Sequence, residues 1–212
     1  MAKQTNTMSA SRLFLRFGET EEAIRLVELY HYSARWPANV QLVGTFHAAG
    51  GLFGDCGEAV AACVWSIPPT RWGEPVLELS RLVRGNQKVP LTMLIAACLK
   101  QLRNSAFDLA VSFADMTHGH EGIVYRAANW KYNGLRESRM DGLLVDDVFI
   151  PGRSANSAWG TRSPGKLCVM LPHSEIRPHW DCGKHLYWYP IRPSGYQRAI
   201  RLGLTAKDWK NN

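Results

Sequence analysis

The sequence predicts a mixed α/β fold of the α+β kind: a mixed central sheet flanked by helices, continued by a basic C-terminal extension. The order of hydrophobic patterns points there, because period-2 and helical spacings succeed one another as strand, helix, strands, helix, strand, helix, strand. The most secure helix follows Pro90, where Leu91, Leu94, Ile95, Cys98, Leu99 and Leu102 form an apolar stripe. Charge sets the extension apart. Residues 1–152 hold 15 Lys or Arg against 15 Asp or Glu, residues 153–212 hold 10 against 3, and so the whole net charge of +7 lies in the last 60 residues.

Taken in order, residues 1–10 are polar and read as a flexible tail, and Leu13–Phe17 reads as a first strand. Thr20 is placed to cap a helix whose first turn carries Glu21 and Glu22 and whose apolar face is Ala23, Leu26, Val27 and Tyr30. Val40–Phe46 and Ala59–Trp65 read as strands of a hairpin joined by a turn with Gly50, Gly51, Gly54 and Gly57. Val76–Val83 is a further strand, and Pro90 suits the first helical position of the helix that follows. Asp108–Phe113 is a short strand, Gly122–Asn129 a short helix and Lys131–Leu135 a strand. Pro151–Gly165, rich in Gly, Ser, Asn and Pro, reads as a loop or linker.

A chain of 212 residues with 46% hydrophobic content is long enough for one sizeable core and a small second lobe. The division expected is a flexible tail (1–10), a core (11–150) and a basic, aromatic-rich segment (151–212). No run of eighteen apolar residues occurs, and the N-terminus lacks the apolar stretch of a secretion signal, so no membrane association is expected and the protein is expected to be intracellular. Five widely spaced cysteines suit a reducing compartment. The basic segment interleaves its cations with Trp159, Trp180, Tyr187, Trp188, Tyr189, Tyr196 and Trp209, a pattern suited to phosphate contact and base stacking, or to nothing more than a soluble surface.

Several motifs carry a resemblance. Glu78-Leu79-Ser80-Arg81-Leu82, Ser112-Phe113-Ala114-Asp115 and Gly122-Ile123-Val124-Tyr125-Arg126-Ala127-Ala128-Asn129-Trp130 resemble the Mom family of phage DNA modification enzymes in sequence, order and spacing. His31-Tyr32-Ser33-Ala34-Arg35-Trp36 and Lys184-His185-Leu186-Tyr187-Trp188-Tyr189 resemble its flanking motifs. The resemblance implies a GNAT-like acyltransferase fold. It also implies conversion of adenine in DNA to its carbamoylmethyl form, protecting bacteriophage DNA from restriction in the cytoplasm of the bacterial host cell. Double-stranded DNA is the implied partner; nothing in the sequence fixes the oligomeric state. The chain departs from the GNAT pattern at the turn that normally cradles a pyrophosphate on glycine amides, since only Gly85 remains between Arg84 and Pro90. Arg84, Gly85 and Lys88 are the donor-binding candidates.

Adenine's exocyclic amine is a poor nucleophile and benefits from a positioned base, for which Glu78 and Asp115 are candidates. Glu78 among Leu77, Leu79 and Leu82 is costly to bury without a partner, either a substrate or an ion pair to Arg81. Ser80 shares its strand face, whereas Arg81 points away unless a bulge intervenes. Ser112 and Asp115 fall at a strand end, where Asp115 could equally cap a helix, and Tyr125 matches the tyrosine that acts as general acid in many GNAT enzymes. A base reached by extrusion from the duplex would meet Tyr32, Trp36 and Trp130 as walls, with Arg35 on phosphate and Lys184, His185 and Tyr187 on DNA. Each of these also has a packing explanation.

The resemblance admits iron, for which His31 and the run His173, His179, Cys182, His185 are conceivable ligands, though their spacing matches no strong metal signature. The donor is open. The product carries a glycine-like unit, which makes glycyl-tRNA the donor hypothesised and tRNA a second partner, with acetyl-CoA plus iron as the alternative. Two other functions compete: an ordinary acyl-CoA-dependent N-acetyltransferase acting on a protein or small amine, and a non-catalytic DNA-binding module.

Overall fold

The chain opens with strand β1 (Leu13–Phe17), which turns through Gly18 at φ +86° into helix α1 (Thr20–Tyr30). Thr20, read from the sequence as the cap, is the first helical residue: its hydroxyl donates to the Gly18 carbonyl, and Glu19 takes the cap position without a side-chain bond. Strands β2 (Val40–Gly50) and β3 (Asp55–Ser66) form the expected antiparallel hairpin and run beyond the predicted spans. The structure describes residues 13–50, 55–68, 72–85 and 89–209 as a computed structural model; Gly51, Gly54 and Lys88 lie outside the described residues. Next come β4 (Leu77–Arg84), α2 (Leu91–Leu102), β5 (Leu109–Asp115), α3 (Ile123–Ala127) and β6 (Lys131–Arg136). Pro90 is the N-cap of α2 and not its first helical residue.

Beyond β6 the structure contains elements that the sequence did not disclose. Strands β7 (Met140–Val145) and β8 (Val148–Pro151) pair across a two-residue turn, Asp146 and Asp147, both with positive φ (50° and 64°). That is the backbone of a type I′ hairpin, built here from two aspartates where glycine or asparagine is usual. The segment expected to be a linker is instead helix α4 (Gly152–Trp159) followed by α5 (Pro164–Met170), and β9 (Ile176–Trp180) pairs with β7. Packing overrides local preference here. Ala155 of α4 and Leu167 of α5 are buried with Leu143 of β7, flanked by Val145, Ile150, Trp159 and Ile176, and Gly160 ends α4 in the left-handed region.

The last elements are β10 (Lys184–Pro190) and α6 (Ser194–Arg201). One sheet has the strand order β1-β2-β3-β4-β5-β10-β6; the other is β8-β7-β9. The chain forms two compact units: residues through Ser112 with Ile123–Asn133 and everything from Tyr187 onward, and Phe113–Gly122 with Gly134–Leu186. In the first unit α1 turns Ala23, Leu26 and Val27 onto Val43, Ala59, Ala62, Val64 and Val83. Val43 therefore faces α1 while its neighbour Gly44 faces α2, as the alternation of a strand requires. A sheet covered on both sides explains why Ala59–Trp65 reads as an unbroken apolar run. Just ahead of β4 and β5, Arg198 of α6 pairs with Asp108 and, at 2.7 Å, with Glu74, which Arg201 also contacts at 2.6 Å. No helix among the described residues is long and apolar enough to cross a membrane.

The Gly44 position tests this packing. A Cβ there would lie 2.5 Å from Cys98 Sγ on α2. Gly44→Ala is expected to cost about 1–3 kcal/mol of stability in urea unfolding through overpacking, and Cys98→Ala in the same chain to return part of it.

Candidate active site

Strands β4 and β5 run parallel over a short ladder in which Leu77 opposes Ala110 and Glu78 opposes Val111. One residue further on, a side chain takes over from the backbone ladder. Ser112 is fully buried, with its Oγ 2.9 Å from the Leu79 carbonyl oxygen and 2.8 Å from the Tyr125 phenol oxygen. A carbonyl can only accept, so the single Ser112 proton goes to Leu79 and the Tyr125 hydroxyl donates to Ser112. Burial above all pushes the Tyr125 phenol well above its ordinary range, and Cys63, Tyr32 and Glu78 add to the upward shift. Tyr125 is thus held protonated, within the electrostatic reach of Glu78, which is itself half-buried.

The end of α3 fixes the tyrosine from the other side. Asn129 adopts a left-handed conformation (φ 61°), its N–H bonds the Arg126 carbonyl, and the Trp130 N–H bonds the Tyr125 carbonyl, each at 3.0 Å. This pair of bonds is a Schellman motif, with asparagine in the place glycine usually takes. Its hydrophobic contact is the Trp130 ring, 5.4 Å from that of Tyr125 and stacked at 6.1 Å on Trp65. Trp130 is buried, so the base-wall role expected of it does not fit its position; it packs the tyrosine.

On β4 a bulge does intervene. Arg81 opposes Val64 and Leu79 opposes Trp65, which leaves Ser80 as the extra residue, its hydroxyl joined to that of Ser66. Past the bulge, Arg81 Nε donates to the Arg35 carbonyl at 2.9 Å and Nη1 to the Ser80 carbonyl at 2.6 Å. Arg81 therefore ties the His31–Trp36 segment to β4. In that segment Tyr32 is 47% exposed and stacks on His31 at 4.4 Å, Arg35 is exposed, and Trp36 is partly buried against the core. Of the wall residues expected, Tyr32 alone presents an open ring.

The remaining candidates separate. Tyr187 has no exposed surface; its hydroxyl accepts from Arg126 Nη1 at 3.2 Å and its ring lies 5.2 Å from Tyr125, so it supports the site from within and does not meet DNA. Arg126 in turn lies 3.9 Å above the Trp209 ring. Among the donor candidates, Arg84 is exposed, while the Gly85 N–H is already bonded to the Val60 carbonyl at 2.9 Å. Pro90 has no N–H to offer an anion, and that of Met93 bonds the Pro90 carbonyl at 3.0 Å.

In the second unit Asp115 caps a short 3-10 turn, accepting from the Thr117 N–H at 3.0 Å, and pairs with Lys184 Nζ at 2.7 Å. Lys184 also lies 3.9 Å from Asp181, a buried carboxylate that accepts from the Arg139 and Gly183 amides. Lys184 is thus engaged with carboxylates where a DNA contact was expected, and His185 is buried. Burial alone would raise the Asp115 carboxyl, but Lys184 and the Thr117 bonds outweigh it and hold it below its usual range. No group of three or more His, Cys, Asp or Glu side chains converges among the described residues; His31 Nδ1 is bonded to Ser33, and His179 pairs with Asp141 at 2.7 Å. Sequence reading missed Ser66, Arg126 and Asp181, whose partners lie 14 to 61 positions away and leave no local signal.

A model of the Mom protein family matches residues 12–205. The chain belongs to the Mom protein family. Its motifs around Glu78, Ser112 and Tyr125 all fall within the match, and family membership supports a DNA-modification or acyltransferase-type function, hence a transferase. Similar solved structures include an N-acetyltransferase from Staphylococcus aureus Mu50 (7% identity, TM-score 0.44, covering 85% of this chain and 99% of that one). Others are an acetyltransferase of the GNAT family from Desulfovibrio desulfuricans (9%, 0.44, 85% and 100%) and an acetyltransferase from Staphylococcus epidermidis (9%, 0.46, 85% and 100%). No curated protein matches the chain.

Two predictions follow from the hydrogen-bond order and the charge pair. Ser112→Ala strands both the Leu79 carbonyl and the Tyr125 hydroxyl and is expected to cost about 2–4 kcal/mol, whereas Tyr125→Phe leaves the Ser112 bond to Leu79 intact and costs about 1 kcal/mol, as urea titration would read. Asp115 has a lowered folded pKa, so its contribution is present above the unfolded carboxylate range and disappears as pH falls through the folded value. Asp115→Asn is expected to flatten the loss of stability below about pH 4 in thermal melts.

Proposed function

We propose that this protein is a DNA-modifying acyltransferase that transfers a glycyl unit to the exocyclic amine of adenine, with carbamoylmethyl-adenine as product. The observation that carries the reading is the buried Tyr125–Ser112–Leu79 chain, a protonated phenol that feels the charge of Glu78, in a member of the Mom family. Glu78 takes a proton as the adenine amine attacks the donor ester carbonyl; the bond from that carbon to the donor oxygen breaks, and Tyr125 gives its proton to the leaving oxygen. The Glu78 proton then restores the phenol. The free amine of the glycyl amide next attacks the ring carbon that bears the modification, and collapse of the spiro intermediate breaks the bond to the original nitrogen, which leaves as the terminal carboxamide. No oxidant or reductant is consumed. The scarcity of glycine at the β4–α2 turn, where only Gly85 stands between Arg84 and Pro90, favours an aminoacyl ester such as glycyl-tRNA over a coenzyme A thioester.

The test is mass spectrometry of nucleosides from plasmid DNA recovered from cells fed glycine labelled with carbon-13 and nitrogen-15. Wild type is expected to yield a modified adenosine carrying both labels, and Glu78→Gln or Tyr125→Phe about a hundredfold less. A modified but unlabelled adenosine would sink the glycyl donor; unaltered adenine from folded wild type would sink DNA modification.

A further inference from the structure

On the first unit, α2, the end of α3 and the segment from β10 to α6 enclose two adjoining cavities of about 580 and 270 Å³ that share Arg103 and Tyr189. Their polar character is one-sided. Lys100, Arg103, Lys131 and Arg192 line them, and no carboxylate does. Lys100, Arg103 and Lys131 are exposed and form no ion pair among the described residues, unlike Arg198 and Arg201, which Glu74 and Asp108 neutralise. Arg192 donates to the Ala106 carbonyl at 3.4 Å and its Nε is buried without an acceptor. Between the cations stand two tyrosines. Tyr196 is 48% exposed and braced edge-on by Trp188 at 6.0 Å, and Tyr189 is half-buried with its ring 5.8 Å from Trp130.

We propose that this trough seats a single-stranded stretch of polynucleotide, with its phosphates on the four cations and its bases against Tyr189 and Tyr196. A groove that joins unneutralised positive charge to aromatic faces suits unpaired bases, whose π-faces are free; a duplex keeps those faces stacked inward. The apolar floor of Pro190, Ile191 and Pro193 suits bases equally well. The trough also adjoins the chemistry: Tyr189 touches Trp130, and Trp130 touches Tyr125. The assignment rests on the reading that this protein handles nucleic acid. The same chemistry would be offered by the unpaired 3′ end of a tRNA or by a DNA strand opened around the extruded adenine.

Fluorescence anisotropy with a labelled 12-nucleotide DNA strand and with a labelled tRNA tests it across a salt series. The double variant Arg103→Ala/Lys131→Ala alters exposed side chains only. It is expected to bind about tenfold more weakly near about 0.1 M salt and to lower the slope of log affinity against log salt by about 1.4, two single-strand phosphate contacts. Tyr196→Ala should weaken binding with the slope unchanged. The double variant Arg16→Ala/Arg25→Ala, equal in net charge and far from the trough in sequence, should change neither. Loss confined to tRNA assigns the trough to the donor end, and loss confined to DNA assigns it to an opened strand. Equal weakening by both double variants, or by neither, overturns the proposal. Wild type that binds neither strand yet modifies adenine in cells overturns the trough and leaves the proposed function standing; intact trough-dependent binding without modification does the reverse.

Discussion

The Leu79 carbonyl oxygen has no proton to give, and that restriction orders everything around it. It takes the Ser112 proton, which makes Ser112 an acceptor for Tyr125, which makes the phenol a donor with a fixed direction. The carbonyl is available because the β4–β5 ladder gives way to a side chain after Glu78 and Val111. The Schellman motif of α3 then clamps the same tyrosine through its backbone, and the rings of Trp130 and Tyr187 pack around it. A phenol so enclosed gains its high proton affinity mainly from lost solvation, with the charge of Glu78 adding to it.

The parts of this arrangement that were legible in the sequence are those governed by short-range periodicity. The stripe on α2, the β2–β3 hairpin and the strand read over Asp108–Phe113, found at Leu109–Asp115, follow from spacing, whereas the bulge near Arg81 does not. What escaped was decided by tertiary packing or by unusual turn chemistry. Asp146-Asp147 makes a tight hairpin with a pair of residues that announces one far less clearly than Asn-Gly, held by the Glu175 amide on Asp146 and by Arg177 on Asp147. Gly152–Trp159 has the composition of a linker and folds as a helix because Ala155 has a core to enter. Burial of Tyr187 and Trp130 was equally out of reach, since an aromatic in a basic stretch reads the same whether it faces solvent or a neighbouring ring.

The charge imbalance also changes meaning once partners are known. Of the basic residues after position 152, Arg177, Lys184, Arg198 and Arg201 are spent on carboxylates, several of them in the balanced earlier part of the chain. Part of the C-terminal excess therefore ties the last stretch of sequence to carboxylates in its middle. The cations left over are drawn from both halves, so net charge by segment located the surplus without locating the surface that displays it.

The division of the chain into units has a temporal consequence. The second unit is nearly continuous and is complete when Leu186 has been synthesised, whereas the first waits for Tyr187, Trp188, Ile191, Ala199 and Leu204, all buried in it. On the ribosome, the earlier-made strands must remain without those closing residues until the last stretch clears the exit tunnel. The nascent chain thus holds a finished appendage before it holds a finished core, and its longest-range contacts, which are the slowest to form, are also the ones translation supplies last.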